Sequence, residues 1–453
     1  MTPGTLFVTG KLAAPALEAT LAAMREAPAH EIAVMPMTVA ALMDTAFIAR
    51  HLPDAKGCGR VIIPGLCHGD TKLLADKLAV PVERGPADLK DLPVFFGGAR
   101  DLSGFGAYHT KILAEITDAH SLPLDAIQAR ARYLRASGAD IIDLGGPPSG
   151  AFHGVEDVVT ALRAEGFRTS IDSFDPQTLL AADKAGVELA LSVNGSNLEI
   201  ARKLRAKVVV IPDFGEGQDS LEKNAATLES WGVSYILDPI LDPIGYGFCR
   251  SLCRFTQTRS RRPEAPMLMG LGNVTELTQA DSVGVTALLA GVLAELNIEY
   301  ALTTEVAPWA KCAVRELDLA RRIMHYAVTS HVPPWGIDDG LLVAKDAAHT
   351  DYSDAELKEI QARIRDKNIR IFVGNGRITV LARGVFAQGD DPAALFAGLD
   401  IKDPGHAFYI GRQLERAAIA LRLGKKFVQD SPLRFGYLTK LAPAEPGAAG
   451  GDN

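Results

Sequence analysis

Three short segments of the chain stop on side chains suited to grip a planar, nitrogen-rich ring. Arg168-Thr-Ser-Ile-Asp172-Ser-Phe174, Leu189-Ala-Leu-Ser-Val-Asn194-Gly-Ser196 and Ser234-Tyr-Ile-Leu-Asp238-Pro239 each run through apolar or β-branched residues and end on a carboxylate or a carboxamide. A 2-amino-4-oxo-pyrimidine edge presents an amino group and a ring N–H side by side. One carboxylate accepts both, in the fork geometry that arginine uses toward carboxylates. A carboxamide donates to one ring atom and accepts from another, which fixes the ring's orientation. Asp172, Asn194 and Asp238 are therefore the central candidates for the chemistry.

Such residues converge only if their strands do. From Lys111 to Glu305 the sequence alternates apolar runs with helix-like stretches. Strands are expected at Ile112–Thr117, Asp140–Leu144, Arg168–Asp172, Leu189–Asn194, Lys207–Pro212, Ser234–Asp238, Pro266–Leu271 and Tyr300–Thr304. Eight βα units in about 195 residues fit a compact (β/α)8 barrel, whose active sites lie at the C-terminal ends of the strands. A doubly wound open sheet is the rival, but the Gly-rich fingerprint that usually opens one is absent. The rim residues are Asp143, Asp172, Asn194, Asp213, Asp238, Asn273 and Glu305. A single strand-end Asp often serves only as a helix N-cap, and Asp143, Asp175 and Asp213 fit that duty.

The expected fold class is α/β, a central TIM-type barrel flanked by a small N-terminal α/β domain and a C-terminal α+β domain. The domains are read as 1–107, 108–330 and 331–440, with a disordered tail at 441–453 that is poor in bulky apolar residues. The first contains strand-like runs at Thr5–Thr9, Glu31–Met35, Arg60–Pro64 and Leu92–Gly97, and helical patterns at Ala13–Arg25 and Thr71–Leu78. Its loop Pro64-Gly-Leu-Cys-His-Gly-Asp70 follows a buried strand and opens a helix, so its N–H groups could receive an anion or a neighbouring domain, but it carries no phosphate-loop signature and a purely structural role is the simpler reading. The third reads as a helix at Asp354–Asp366, a hairpin across Gly374-Asn375-Gly376 and a helix at Gly411–Leu423.

Bulk properties narrow the class. With 453 residues, 47% hydrophobic and 23% charged, the chain is ordinary for a soluble protein, and its net charge of −8 argues against nucleic acid or anionic membrane as partner. There is no membrane-length apolar run and no signal-peptide pattern at Met1-Thr-Pro-Gly-Thr5. Five cysteines form neither a disulfide framework nor a zinc-ligand pattern. A cytoplasmic protein is expected.

Ile171-Asp-Ser-Phe174, Ser192-Val-Asn-Gly195 and Leu237-Asp-Pro239, after Gly138-Ala-Asp-Ile-Ile-Asp-Leu-Gly-Gly146, resemble the pterin-binding barrel shared by dihydropteroate synthases and methyltetrahydrofolate:corrinoid methyltransferases. With Lys402-Asp-Pro-Gly-His-Ala-Phe-Tyr-Ile-Gly-Arg412, the whole chain resembles the dihydropteroate synthase-related proteins of tetrahydromethanopterin biosynthesis. The resemblance implies that Asp172, Asn194 and Asp238 hold a pterin ring, with Asp143, Asp242, Asn273 and Glu305 as further substrate contacts. It departs from ordinary synthases in three loops. Gly145-Gly-Pro-Pro-Ser-Gly150 stands where they carry a Thr-Arg aminobenzoate motif, and Gly270-Leu-Gly-Asn-Val274 and Leu302-Thr-Thr-Glu-Val306 stand where they carry Lys, Arg and His. Asn273 is closer to the methyltransferase pattern. Where synthases have an Asn that helps hold magnesium, this chain has Glu115-Ile-Thr-Asp118. Glu115 and Asp118 are hard oxygen ligands suited to Mg2+, and equally able simply to organise a loop.

The implied reaction condenses 6-hydroxymethyl-dihydropterin diphosphate with an aryl amine, ribofuranosylaminobenzene 5'-phosphate rather than aminobenzoate, and releases diphosphate. A departing diphosphate needs positive charge. The rim offers Lys111 and a metal, whereas the third region holds Arg377, Arg383, Lys402, His406, Arg412, Lys425 and Lys426. Lys402, His406 and Arg412 are its substrate-binding candidates. Mg2+ is the expected cofactor, with no tightly bound organic one. The expected partners are the two small-molecule substrates, with neither nucleic acid nor membrane, and a homodimer as the candidate assembly. The rivals are methyl transfer from a tetrahydropterin to a corrinoid, and a pterin-binding protein without turnover.

Overall fold

The structure, a computed structural model, describes residues 4–24, 27–97, 102–347, 352–366 and 368–439. The tail expected to be disordered, 441–453, lies outside them. The chain divides into two compact units, residues 1–103 and 104–453.

The first unit is an open parallel sheet of β1 (Thr5–Gly10), β2 (His30–Met35), β3 (Arg60–Ile63) and β4 (Val82–Arg84), in the order β2-β1-β3-β4. Central β1 is buried along its whole length, as expected for an interior parallel strand with both faces covered. Helices at Ala14–Ala23 and Thr71–Leu78 lie where the pattern put them. The segment Leu92–Gly97, expected as a strand, instead forms a short helix at Leu92–Phe95. Pro93 accounts for the difference: without an N–H it cannot donate to a ladder, and its fixed φ suits a first helical turn.

In the second unit all eight expected barrel strands are present: β5 (Lys111–Ile116), β6 (Ile141–Gly145), β7 (Thr169–Asp172), β8 (Leu189–Val193), β9 (Lys207–Val210), β10 (Tyr235–Leu237), β11 (Leu268–Gly270) and β12 (Tyr300–Thr303). They pair in parallel in the order β10-β9-β8-β7-β6-β5-β12-β11, and a bridge between Leu237 and Met267 joins the two ends. The fold is a (β/α)8 TIM-type barrel.

Alternation along the strands decides what each side chain faces. Leu113, Ile141, Leu189, Leu191, Val209, Ile236, Leu268 and Tyr300 form one buried cluster, the barrel interior. Ile112, Ala114, Ile142, Leu144, Ile171 and Ala190, at the intervening positions, belong to the cluster shared with the surrounding helices. Two residues beyond Leu113, Ile141 and Ile236 come Glu115, Asp143 and Asp238, and two beyond buried Ser170 comes Asp172. The period of two therefore points four carboxylates along the interior, at the C-terminal mouth.

The C-terminal elements add a helix at Asp354–Ala362 and an antiparallel sheet of β13 (Arg370–Gly374), β14 (Arg377–Ala382) and β15 (Val385–Gly389), packed by the helix Pro404–Leu423. That helix begins seven residues before the expected Gly411, because Asp403 accepts from the His406 N–H at 2.6 Å and Pro404 occupies its first turn. Farther on, the Tyr437 hydroxyl donates to Glu316 on the helix Ala313–Thr329 at 2.6 Å.

Candidate active site at the barrel mouth

Strand register builds the centre of the site. Asp143 on β6 pairs with Glu115 on β5 and with Ser170 on β7. Carboxylate oxygens of Glu115, Asp143 and Asp172 all lie within 4.8 Å of one another. Gly145 makes this crowding feasible, since a Cβ there would stand 2.9 Å from Glu115 Oε1 and 2.6 Å from the Thr117 carbonyl oxygen. Asp143 is fully buried; its Oδ1 accepts from Ser170 Oγ at 2.5 Å, while Oδ2 has no partner. A buried carboxylate oxygen without a partner is costly, and marks a place where a proton, a cation or a ligand donor belongs.

The electrostatics agree. Burial, followed by the charges of Asp172 and Glu276, pushes the Glu115 carboxyl up to about 7. Burial raises Asp172 to about 6. Asp143 is raised as well, first by burial and then by Asp172 and Glu115, against the opposing hydrogen bond from Ser170. Asp238 reaches about 7 through burial and, secondarily, Asp172, although the Ile240 N–H at 2.8 Å and the Arg254 charge oppose this. Among the described residues, none of these four carboxylates has an ion pair.

Asn194, 1% exposed, follows β8. Its Oδ1 accepts from the Ser196 N–H at 3.0 Å and Ser196 Oγ at 2.7 Å, and its own N–H donates to Asn197 Oδ1 at 2.9 Å. No hydrogen bond among the described residues engages its Nδ2, so the amide keeps donors for a ligand. A cavity of about 440 Å3 opens beside Glu115 and Asp172, between the loops Gly145–Gly150 and Ser173–Pro176. Exposed Phe174 and Phe214, on the loops after β7 and β9, have ring centroids 6.1 Å apart, and exposed Tyr246 lies on the loop after β10.

The other sequence candidates divide. Asp242 pairs with Arg254 at 2.8 Å, and Arg254 also donates to the carbonyls of Pro239 and Ile240. Asn273 donates to the Leu241 carbonyl at 2.8 Å. Both thus brace the loop after β10. Glu305 turns to Arg130 at 3.0 Å and the Val314 N–H at 3.2 Å. Asp118 is exposed at the start of a 3-10 turn and does not join the Glu115 cluster; Asp143, fitted from sequence to a helix cap, does. Asp175 is the true cap, accepting from the Thr178 N–H.

Lys111 was placed on the rim but opens β5, at the far end of the barrel from the mouth, with its Nζ over the Tyr300 ring. In the third region Lys425 is buried against Asp346 and three carbonyls, and Arg377 pairs with Asp354. Lys402, His406 and Arg412 lie at or in the helix Pro404–Leu423, and no hydrogen bond or ion pair among the described residues ties their side chains to the barrel mouth. Sequence reading missed Arg254 and also Glu276, which accepts from Thr304 Oγ1 and the N–H groups of Val306 and Ala307 and so fixes the loop after β12. Arg254 sits on the helix Phe248–Arg261 and Glu276 just past the short helix Gly272–Thr275, so neither carries the strand-end signal that marks the other candidates.

A family model described as a family of unknown function, DUF6513, matches residues 4–87. An uncharacterized protein of Methanocaldococcus jannaschii is 29% identical over 364 residues, covering 71% of this chain and 69% of its own. Among solved structures, the dihydropteroate synthase of Vibrio fischeri overlaps 50% of this chain and 95% of its own, at 15% identity and a TM-score of 0.41. A sulfonamide complex of the Yersinia pestis enzyme overlaps 51% of this chain and 96% of its own, at 18% identity and a TM-score of 0.41. Overlaps this distant leave the chemistry to be argued from the side chains.

Proposed function

We propose that the mouth binds a pterin and that the protein is a pterin transferase, joining 6-hydroxymethyl-dihydropterin diphosphate to an aryl amine. The observation that carries this reading is a floor of inward-facing carboxylates without ion pairs beside an Asn with unspent amide donors. Such a floor is rich in acceptors and suits a ring edge rich in donors. Asp172 and Asp238 accept the ring's N–H groups, the Asn194 Nδ2 donates to a ring acceptor, and Phe174 and Phe214 offer faces against which a flat ring stacks.

In the reaction the amine nitrogen attacks the exocyclic methylene carbon. The C–N bond forms as the C–O bond to diphosphate breaks, and the nitrogen loses its proton. Arg250, exposed in the first turn of the helix that follows β10 and without an ion pair among the described residues, is the cation this proposal assigns to the departing charge. Oxygens of Glu115, Asp143 and Asp172 form a hard-ligand set that fits Mg2+, and the orphaned Asp143 Oδ2 supports that fit. When bound there, Mg2+ would supply charge neutralisation to the diphosphate. Asp172 has two oxygens and can serve ring and metal together. The changed loop Gly145–Gly150 supports an amine other than aminobenzoate, with ribofuranosylaminobenzene 5'-phosphate and a role in tetrahydromethanopterin synthesis as the specific form of the proposal.

The Asp172→Ala protein, still folded by circular dichroism, should lose about 100-fold or more in affinity for 6-hydroxymethylpterin by calorimetry, the scale of two charge-assisted hydrogen bonds. Unaltered affinity would sink the assignment. Methyl transfer from a methyl-tetrahydropterin to cobalamin, without diphosphate release in the presence of any aryl amine, would favour the methyltransferase rival instead. For the metal, Glu115→Gln should weaken Mn2+ binding, read by electron paramagnetic resonance, while Asp118→Asn leaves it unchanged. Weakening by both substitutions would restore the pairing expected from sequence.

A further inference from the structure

The loop Pro64–Asp70 belongs to the first unit, and the sheet that precedes it has the topology of a ligand-binding fold. With strand order β2-β1-β3-β4, the chain runs outward from β1 to β2 and then returns to the other side of β1 as β3. The reversal falls between β1 and β3. In open parallel sheets, ligands bind in the crevice beyond the carboxyl ends of the strands at such a reversal. A cavity of about 180 Å3 lies there. It is lined by Thr9 at the end of β1, Ala13 and Leu17 beyond it, Ala41, Gly65 after β3 and Pro86 after β4. No ionisable side chain lines it.

The lining limits what fits. The two helices that follow β2 and β3 are already capped by carboxylates: Asp44 accepts from the Phe47 N–H at 2.6 Å and Asp70 from the Lys72 N–H at 2.9 Å. Those helix starts are closed to phosphate, and with no cation in the lining a multiply charged ligand is disfavoured. Hydrogen-bond donors do remain. The helix Ala14–Ala23 has no side-chain cap, and no hydrogen bond among the described residues uses the N–H groups of Gly65 or Leu66, the central residues of the turn closed by Cys67 N–H to the Pro64 carbonyl. Gly65 has to be glycine, because a Cβ would stand 2.3 Å from the Pro86 carbonyl oxygen. Leu12, Leu42 and Leu66, on the loops after β1, β2 and β3, are 72%, 72% and 52% exposed. They are apolar side chains at the carboxyl end of the sheet, available to close over an apolar guest.

From this geometry we infer that the first unit is a second binding module, whose β1/β3 crevice takes a small, mainly apolar ring carrying one oxygen acceptor. A cavity of roughly 150 Å3 accommodates benzene, so this one matches a single substituted ring. The ring fills the apolar walls formed by Ala13, Leu17 and Ala41, and its oxygen accepts from the free N–H groups of Gly65 and Leu66. The inference is drawn from residues of the first unit alone and does not rest on the reading of the barrel mouth.

Fluorine NMR of the full chain with fluorobenzene and 4-fluoroacetophenone tests the inference. Both should bind, the ketone about fivefold more tightly through its acceptor. Ala41→Phe, which fills the cavity, should abolish binding of both without shifting the melting temperature, and Ala13→Leu, at another lining position, should do the same. Absence of binding by both probes at millimolar concentration would overturn the inference. So would binding that survives both substitutions in folded protein, or an equal affinity for ring and ketone.

Discussion

At the N-terminal end of the barrel strands, charges meet their opposites. Arg168 forks onto Glu188 at 2.7 and 2.5 Å, Arg205 reaches Asp183 at 3.3 Å, and Arg321 joins Asp140 and Asp318. The cleft there, about 570 Å3, is larger than the one at the mouth and is lined by six cationic side chains, among them Lys111, Arg168 and Lys207. At the C-terminal end four carboxylates crowd together, and among the described residues none has an ion pair. Cavity size alone would place the function at the wrong end. Satisfied charge is structure, whereas like charge held together against its own repulsion is a feature that folding does not reward. The barrel thus keeps its ion pairs at one end and its unpaired carboxylates at the other, and in this architecture the C-terminal end is the one that carries function.

The largest way to break the contrast is with pH. Glu115, Asp172 and Asp238 are raised by burial to about 7, 6 and 7, so between roughly pH 4 and 7 the folded chain binds protons that the unfolded chain has released. Their contribution is complete below the unfolded values and is lost as pH rises through 6 to 7. A Glu115→Gln/Asp143→Asn double variant removes much of the repulsion. Between pH 4.5 and 8, wild type should lose on the order of 5 kcal/mol of unfolding free energy relative to that variant, measured by urea denaturation. Parallel curves would mean that the mouth charges are paired after all.

The next effect belongs to the other end. Arg321 is 3% exposed; besides its two carboxylates it donates to the carbonyls of Thr110 and Gly138, at the starts of β5 and β6, and it lies over the Tyr108 ring. Arg321→Met should cost about 3 kcal/mol: Asp318 keeps Arg322, and Asp140 keeps the Tyr108 hydroxyl and the Ile112 N–H, but both lose a buried cation and two carbonyls lose a donor. The pterin affinity of protein that remains folded should be unchanged. A loss of affinity with intact stability would show that the two ends are not separate.

Much of this division was legible in the sequence, and what was misread has physical causes. The eight strands stand out because interior parallel strands are continuous β-branched and apolar runs. Asp172, Asn194 and Asp238 stand out because each ends such a run. Asp143 reads from sequence both as a helix cap and as a substrate contact, and the period of two from Ile141 decides between them by pointing it inward beside Glu115. Asp118 was paired with Glu115 by proximity in the chain, but β5 ends at Ile116 and the chain turns away before Asp118. Lys111 was placed on the rim although four extended residues put it roughly 13 Å down the strand from Glu115. The basic residues of the third region were read by composition alone, and composition does not reveal that Lys425 is buried against Asp346.

The smallest expected effect tests whether the paired end contributes stability evenly. Arg168 and Glu188 form a well-shaped fork, but their side chains are 42% and 41% exposed. Water already solvates both partners, and fixing two long side chains costs entropy that the screened attraction barely offsets. Arg168→Ala should therefore change stability by less than about 0.5 kcal/mol, a tenth of the pH effect at the mouth. The Arg168→Ala/Glu188→Ala double-mutant cycle should give a similarly small coupling. A coupling above about 1 kcal/mol would mean that the cleft is drier than its exposure implies. Lys111 and Lys207 beside it, without ion pairs among the described residues, would then act in a low dielectric, and that end of the barrel could no longer be read as scaffold alone.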